Sequence, residues 1–420
     1  MLLLFEDEGA ALLRPPADLT PVHELVIGRE TILERVRRLL RHDGEVASLV
    51  RPHLVPKAGD SEAPPLRGAD EGVLAVNSRW VMGAEEARLA LLLDVGEALA
   101  APDGTVLCAR LRAEEAESTL SPERGWVSGV SEALHASAES VRVLEGARLI
   151  SYPWDLLRTS LEALREPVSV EGSSRVPESV RVLGNPKMLS LGEGVEFEGP
   201  AVLDVRGGPI HISDGVTVGP HVSLSGPLHV GPRSAILPGA QVSNSYVGPV
   251  CKVGGELADS VVLGYSNKAH YGYVGHSYVG RWVNVGAGTA TSDLKNTYGE
   301  IRKTVGGRRL GTGTIKLGSF VGDHAKTAIG AMLYTGLFAG AASHLHGFVL
   351  EDVPPFTIYA VTLGWGKVEL ELESAIRTYE RMAARRSVQP SEGEEQSMRL
   401  LFELTRRERD EAGVRRGRIR

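Results

Sequence analysis

The sequence of 420 residues contains two cysteines, Cys108 and Cys251. They build neither a disulfide framework nor a cysteine zinc site, so a reducing cytoplasm is the expected setting. Aromatic residues are scarce at 5%. Long apolar runs are also missing. Leu2-Leu3-Leu4-Phe5 is followed at once by Glu6, Asp7 and Glu8, too short and too acidic for a signal peptide or a membrane span, and no membrane partner is expected. There is no basic excess either. Lys and Arg number 46 against 53 Asp and Glu, a formal charge of −7, which argues against nucleic acid as the main partner. What is abundant is glycine, at 49 residues, which favours turn-dense β architecture. The length exceeds one ordinary core, so two domains and an additional segment are expected.

Residues 1–170 mix helix and strand patterns and are read as an α/β domain. Met1–Phe5 and Gly72–Asn77 have the apolar runs of buried strands, and Glu97–Leu111 reads as a hairpin folded at Pro102-Asp103-Gly104. Gly28–Arg41 puts Ile32, Val36, Leu39 and Leu40 on one helical face. Pro153–Arg165 is a second helix, with proline at its first position.

Across 174–350 the period becomes six. Ile212, Val218, Leu224, Val230, Ile236 and Val242 follow one another at that spacing, slip by one at Val247 and resume at Val253. Val321, Thr327, Leu333, Ala339 and Leu345 form a second run. Neither a helix nor simple strand alternation has this period. It marks a parallel β-helix of short strands and tight corners with the apolar ladder inside. Between the runs, residues 289–316 break the period with Asn, Asp, Lys, Arg and Gly, and are expected to leave the coil and lie on the surface. Residues 351–420 form a charged tail, with helical patterning at Val368–Arg381 and from Met398 around a polar break at Ser387–Gln396. Seven arginines lie between Arg406 and Arg420 against three acids, read as a solvated helix end.

One stretch departs from the general scarcity of rings. "NKAHYGYVGHSYVGRWVNVGAGT", Asn267–Thr289, gathers two histidines, three tyrosines, one tryptophan and five glycines. Its succession of a histidine, a tyrosine three later and an Asn-x-Gly-Ala-Gly corner resembles the acetyltransferase half of the bifunctional UDP-N-acetylglucosamine pyrophosphorylase/glucosamine-1-phosphate acetyltransferase family. "NTYG" at Asn296–Gly299 resembles that family's Asn-Tyr loop motif with one residue inserted, and "RKTVGG" at Arg302–Gly307 its following basic stretch. The order of domains agrees. The resemblance is specific over about Pro238–Gly347 and weak over the first 165 residues. It implies a left-handed β-helix, acetyl-CoA as co-substrate, a sugar phosphate or nucleotide sugar as acceptor, and a homotrimer with sites between subunits.

Carried across by position, the resemblance implies His270 as catalytic base, Tyr273, Asn284, Asn296 and Tyr298 as sugar-phosphate contacts, and Ala287 and Lys303 near acetyl-CoA. The chemistry of these residue types agrees. Neutral imidazole is suited to take a proton from an attacking amine or hydroxyl. Asn amides and Tyr hydroxyls bond to a polyhydroxyl sugar without adding charge. His276, His324, His344 and His346 are read as corner residues, and Tyr271, Tyr278 and Trp282 as packing or interface rings that a neighbouring subunit would cover.

Departures from the family pattern bear on the acceptor. Leu237 stands where an arginine is expected and Ala258-Asp259 where lysines are, which leaves Arg233 and Lys252 as substitutes for holding a phosphate. The first domain lacks a Gly-x-Gly-Thr-Arg loop, so it is read as a degenerate nucleotidyltransferase-like domain. Alternatives are nucleotidyl transfer onto a sugar 1-phosphate from UTP or dTTP with Mg²⁺, a non-catalytic sugar-nucleotide-binding scaffold, and a three-histidine zinc hydratase. For the last, the spacing of His270 and His276 is unsuitable, so no metal site is assigned.

Overall fold

Leu2–Phe5 (β1) is apolar throughout and fully buried, as a strand covered on both faces must be. The computed structural model of the chain describes residues 1–58, 72–120, 129–167 and 175–417. In it β1 lies parallel between Val46–Leu49 (β2) and Val73–Asn77 (β3). Glu97–Ala100 (β4) and Val106–Leu111 (β5) form the expected antiparallel hairpin, with Asp103 accepting a hydrogen bond from the Thr105 amide and Gly104 at φ +87°. Ser140–Val143 (β6) completes a six-stranded mixed sheet of order β2-β1-β3-β5-β4-β6. Helix α1 spans Ile32–Leu40 and starts with the first apolar residue of its face, later than the expected stretch from Gly28. Gly28, at φ +68°, turns a short hairpin between Val26–Ile27 and Glu30–Thr31, and a capping box of Thr31 and Glu34 then opens the helix. Helix α2, Pro153–Ala163, begins at its proline as expected.

Residues 180–359 form a parallel β-solenoid of about ten turns. Its cross-section has three faces. Face one carries Ala235–Ile236, Lys252–Val253, Asn267–Lys268, Lys326–Thr327 and His344–Leu345. Face two carries Glu256–Ala258, Tyr273–Gly275, Ala290–Thr291, Met332–Leu333 and Phe348–Val349. Face three carries Val261–Val262, Tyr278–Val279, Phe320–Val321 and Phe338–Ala339. The six-residue ladders point inward, from Ile212 to Val253 and from Val321 to Leu345, and every member is buried. The slip at Val247 marks a change in coil length: successive partners on face one are Ile236, Val253 and Lys268, 17 and then 15 residues apart.

What surrounds the solenoid corrects several expectations. Face three is covered by the first domain, because Tyr246, Val261, Tyr278 and Phe320 belong to the same apolar core as Leu4, Trp80 and Leu156. Ala290–Thr291 stays in the coil, and the excursion that follows does not lie freely on the surface. Its hairpin Arg302–Val305/Arg308–Gly311 is flanked by Ile301 and Leu317, both buried in that shared core. The tail helices α3 (Leu372–Ala384) and α4 (Glu392–Leu404) cap the corner between faces three and one. There Trp282 stacks on Tyr265 at 4.4 Å and meets the Tyr379 ring edge-on at 5.6 Å. Tyr278 and Trp282 are therefore covered by their own chain, and only Tyr271, 75% exposed, remains bare.

His344 lies in a strand of face one, opposite Lys326, and not at a corner. In the tail Arg406, Arg407, Arg415 and Arg416 are exposed, as expected of a solvated helix end, and Arg409 is the exception among the described residues. In Arg406–Glu411 (α5), Arg409 is buried over the Phe402 ring and paired with Glu369 at 2.9 Å; Arg418 and Arg420 lie outside the described residues.

Candidate functional site

Lys268 occupies a position on face one whose stacked neighbours, Val253 below and Ile236 beyond, fill the apolar column. A cation there requires acceptors. Its Nζ donates to the carbonyl oxygens of Gly254 (2.6 Å), His270 (2.8 Å) and Gly272 (2.9 Å), all on the corner between faces one and two. The buried lysine thereby ties down the backbone of the corner that presents His270. The His270 side chain is exposed and has no hydrogen-bond partner among the described residues. The next corner up carries Gly288, at φ +72°, whose amide donates to the Tyr271 carbonyl; a Cβ there would lie 3.1 Å from the Tyr271 hydroxyl. Glycine at 288 is thus what leaves room for the ring beside the histidine.

Tyr273 lies on face two, three residues beyond His270, and its hydroxyl donates to Asp293 Oδ2 at 2.8 Å. The same oxygen receives His276 Nδ1 at 2.7 Å. A carboxylate only accepts, so the Nδ1 of His276 carries the proton and its Nε2 faces Asp259 at 3.7 Å. Burial and the neighbouring Asp293 charge raise the Tyr273 phenol, which stays protonated. His276 is a corner residue as expected, at φ +46°. Yet it also fixes the point where the excursion leaves the coil, and it lines a cavity of about 270 Å³ with Arg158 of α2 and Lys316. No spacing rule announces this contact, because Asp293 arrives from the start of an irregular segment.

The other residues named by position are spread over the solenoid. Asn284 lies on face one, bridged in register to Asn267 and Lys326. Ala287 sits half-buried at the corner above His270, its carbonyl accepting from Gly330. Asn296 and Tyr298 are exposed on the excursion, Tyr298 at 70% and φ +55°. Lys303 is elsewhere: its Nζ pairs with Asp352 at 2.6 Å and sits 4.3 Å above the Phe338 ring of face three. Within one chain, then, His270, Tyr273, Asn284 and Ala287 belong to adjacent coils around one corner, whereas Lys303 is committed on another side.

A second candidate is the carboxyl edge of the first-domain sheet, where open α/β sheets bind ligands. Here that edge is filled by charge pairs. Glu6, just past β1, accepts from the amides of Val22 and Arg51 and from Arg51 Nε at 2.9 Å. Asp7 holds Arg79, just past β3, at 2.5 and 2.6 Å. All four residues are at most 6% exposed. A Cβ on Gly9 would lie 2.2 Å from the Arg79 guanidinium carbon, so that group lies flat against the backbone where a nucleotide phosphate would need open amides.

A mixed α/β domain joined to a parallel β-solenoid is the architecture that this arrangement defines. Residues 2–174 match the family described as sugar nucleotidyl transferase. The chain is 34% identical over 111 residues to the bifunctional sugar-1-phosphate nucleotidylyltransferase/acetyltransferase of Sulfurisphaera tokodaii, covering 24% of this chain and 28% of that protein. It is 26% identical over 243 residues to the bifunctional protein GlmU of Methanococcus vannielii, covering 56% of this chain and 52% of that one. The matched stretches thus span about half or less of these relatives' own length. A UDP-N-acetylglucosamine acyltransferase structure from Campylobacter jejuni aligns over 55% of this chain and 96% of its own at 12% identity, but its TM-score of 0.21 carries no argument. The chain is thus similar over part of its length to GlmU-type proteins, and over residues 2–174 to sugar nucleotidyl transferases.

The lysine beneath the His270 corner gives a test by pH. Burial pushes Lys268 from its ordinary 10.5 down to about 8. Between those values the unfolded chain binds more protons than the folded one, so folding stability rises with pH across that window. Lys268→Met is expected to flatten the rise. It should also lower the melting temperature at neutral pH, because the three corner carbonyls lose their donor. Lys326, held at about 7, contributes with the same sign in both proteins, so the difference between the two melting series is the quantity to measure.

Proposed function

We propose that the solenoid transfers an acetyl group from acetyl-CoA to an amine or hydroxyl of a sugar phosphate or nucleotide sugar, with His270 as general base. The observation that carries this reading is the His270 corner itself. The ring is exposed and unpartnered, its backbone is held by Lys268, and Tyr273, Asn284 and Ala287 flank it on the same and the next coil. In the proposed step the acceptor nitrogen or oxygen attacks the thioester carbonyl. The new bond to carbon forms, the carbon–sulfur bond breaks, and His270 takes the acceptor's proton and passes it to the departing sulfur, which leaves as the thiol. Tyr273, kept neutral, and Asn284 would orient the acceptor. Asn296 and Tyr298 from the excursion, and Ala287 and Lys303 toward the acyl donor, are the further contacts in this reading. The whole protein would work in the cytoplasm.

The reading includes a homotrimer. Two sides of the solenoid are already occupied, by the first domain and by the tail helices, while face two is bare. It presents Met332, Tyr334, Phe348 and Leu350, between 36% and 57% exposed, beside Tyr271 and Ile329 on the adjoining corner. A contiguous apolar strip of this kind marks an interaction surface, and a second copy of the chain is the proposed occupant. Tyr273 shares that face and His270 borders it, so a neighbour there would close the site against water.

The first domain is proposed to be silent in nucleotidyl transfer, because Glu6–Arg51 and Asp7–Arg79 fill the strand ends. The competing reading, sugar-1-phosphate nucleotidyl transfer with Mg²⁺, draws on the family to which residues 2–174 are matched.

Three experiments follow. With acetyl-CoA and a panel of amino sugars and nucleotide sugars, His270→Asn should lower the transfer rate by roughly 10²–10⁴ with little change in acceptor affinity. Unchanged turnover would remove His270 from the mechanism. His276→Asn is not a neutral control, since it frees Asp293 and with it Tyr273; His346→Asn serves better. Light scattering should report three chains per particle and, for Phe348→Glu, a single chain; a monomeric wild type would refute the trimer. Pyrophosphate release from UTP or dTTP with sugar 1-phosphates should stay at background, and robust release would reinstate the first domain as an enzyme.

A further inference from the structure

The chain carries a net charge of −7, yet one cavity concentrates the opposite sign. It has a volume of about 400 Å³ and lies between face one of the solenoid and helix α3. Five basic side chains line it: Arg233, Lys252 and Lys326 from three coils, and Arg385 and Arg386 from the end of α3. Among the described residues no carboxylate lines it. Among the described residues none of the five forms an ion pair, although ion pairs are frequent elsewhere in the chain.

The cavity is preformed. Arg386 spans it, donating from Nη1 to the Val250 and Tyr265 carbonyls at 3.0 and 3.3 Å and from Nη2 to Asn267 Oδ1 at 2.9 Å. These contacts tie α3 to the coil and leave the guanidinium charge uncompensated. Lys326 donates to the Trp282 and His324 carbonyls, and burial pushes it down to about 7, as expected for a cation without a counter-charge. Unpaired cations converging on a sheltered space repel one another, and an anion placed among them removes that repulsion while gaining charge-assisted hydrogen bonds.

We infer that this cavity is a binding site for the diphosphate group of a small organic ligand. A single phosphate carries about −1.5 to −2 at neutral pH, too little to balance the basic side chains gathered here even with Lys326 only partly charged, whereas a diphosphate spans more of them. The volume lies within the roughly 300–1,000 Å³ of small-molecule sites, so it holds more than an inorganic ion. The non-charged walls, Val250, Trp282 and Met382 with Asn267 and Asn284, suit an attached organic group. Nucleoside diphosphates, nucleotide sugars and coenzyme A share this diphosphate chemistry. The inference does not rest on acyl transfer, since occupancy is measurable without any reaction.

The test uses the full chain with inorganic pyrophosphate as the first probe, followed by calorimetry and thermal melting at low salt. Pyrophosphate should bind saturably and raise the melting temperature, and orthophosphate should bind at least about tenfold more weakly. Lys252→Glu/Arg385→Glu, at two exposed positions, should weaken pyrophosphate by at least about tenfold while the unliganded protein melts no lower than wild type, because reversal relieves repulsion. UDP, a UDP-sugar and coenzyme A form the next arms, and whichever binds more tightly than pyrophosphate identifies the source of the diphosphate. Pyrophosphate that fails to bind, that binds the reversed protein equally, or that is matched by orthophosphate overturns the inference. So does an organic series of which no member exceeds pyrophosphate.

Discussion

Everything in this molecule is arranged around one requirement of a three-sided parallel coil: its inside is filled by its own repeats, but its three outer faces must each be solvated or covered. Stacked short strands satisfy their backbone hydrogen bonds with the coils above and below, and the ladders from Ile212 to Leu345 fill the interior. The outer positions then decide the architecture. Where they are aromatic on face three, the first domain sits; where Tyr265 and Trp282 stack at a corner, the tail helices sit. The side left bare borders His270. Both flanking elements are held by polar links as well as apolar ones. Thr20 donates to Asp323 at 2.7 Å, Asp18 accepts from the Ala341 amide at 2.9 Å, and Glu394 of α4 receives His324 at 3.0 Å.

Much of this was legible in residue order. Local signals worked where the cause is local: the hairpin at Pro102-Asp103-Gly104, the proline start of α2, the strands β1 and β3, and the six-residue ladder. Errors arose where a turn preempted a pattern. The stretch Gly28–Arg41 reads as helix from its first residue, but the turn at Gly28 and the capping box delay the start to Ile32. The rings at Tyr278 and Trp282 need cover, but what covers them comes from distant parts of the chain, the first domain and the tail helices, and periodicity carries no information about that.

The candidate site divides in the same way. The succession His270, Tyr273, Asn284, Ala287 is visible because coil geometry converts fixed spacings into neighbouring positions. Lys268 could also have been found, since a lysine in line with Ile236 and Val253 is an anomaly once the shortened coil is counted. The His276–Asp293–Tyr273 group and the partners of Lys303 depend on how an irregular segment folds back, so no repeat rule reaches them. The filled strand ends of the first domain are a comparable case. The missing glycine loop was apparent, but that Glu6 and Asp7 had been recruited with Arg51 and Arg79 to close the vacancy was not.

The shared core has a consequence for synthesis. The apolar surface of the first domain is completed by Tyr246, Tyr278, Leu317 and Phe320, all of which follow it in the chain by many residues. At about 5–20 residues per second, these are made roughly four to thirty seconds after residue 165 is added. During that interval Leu156 and its neighbours on α2 have their first-domain partners, such as Val26 and Trp80, but lack the solenoid residues that complete their cover. The nascent first domain is thus an exposed intermediate by construction, and the solenoid, growing coil by coil, acts as the template on which its last layer is laid down.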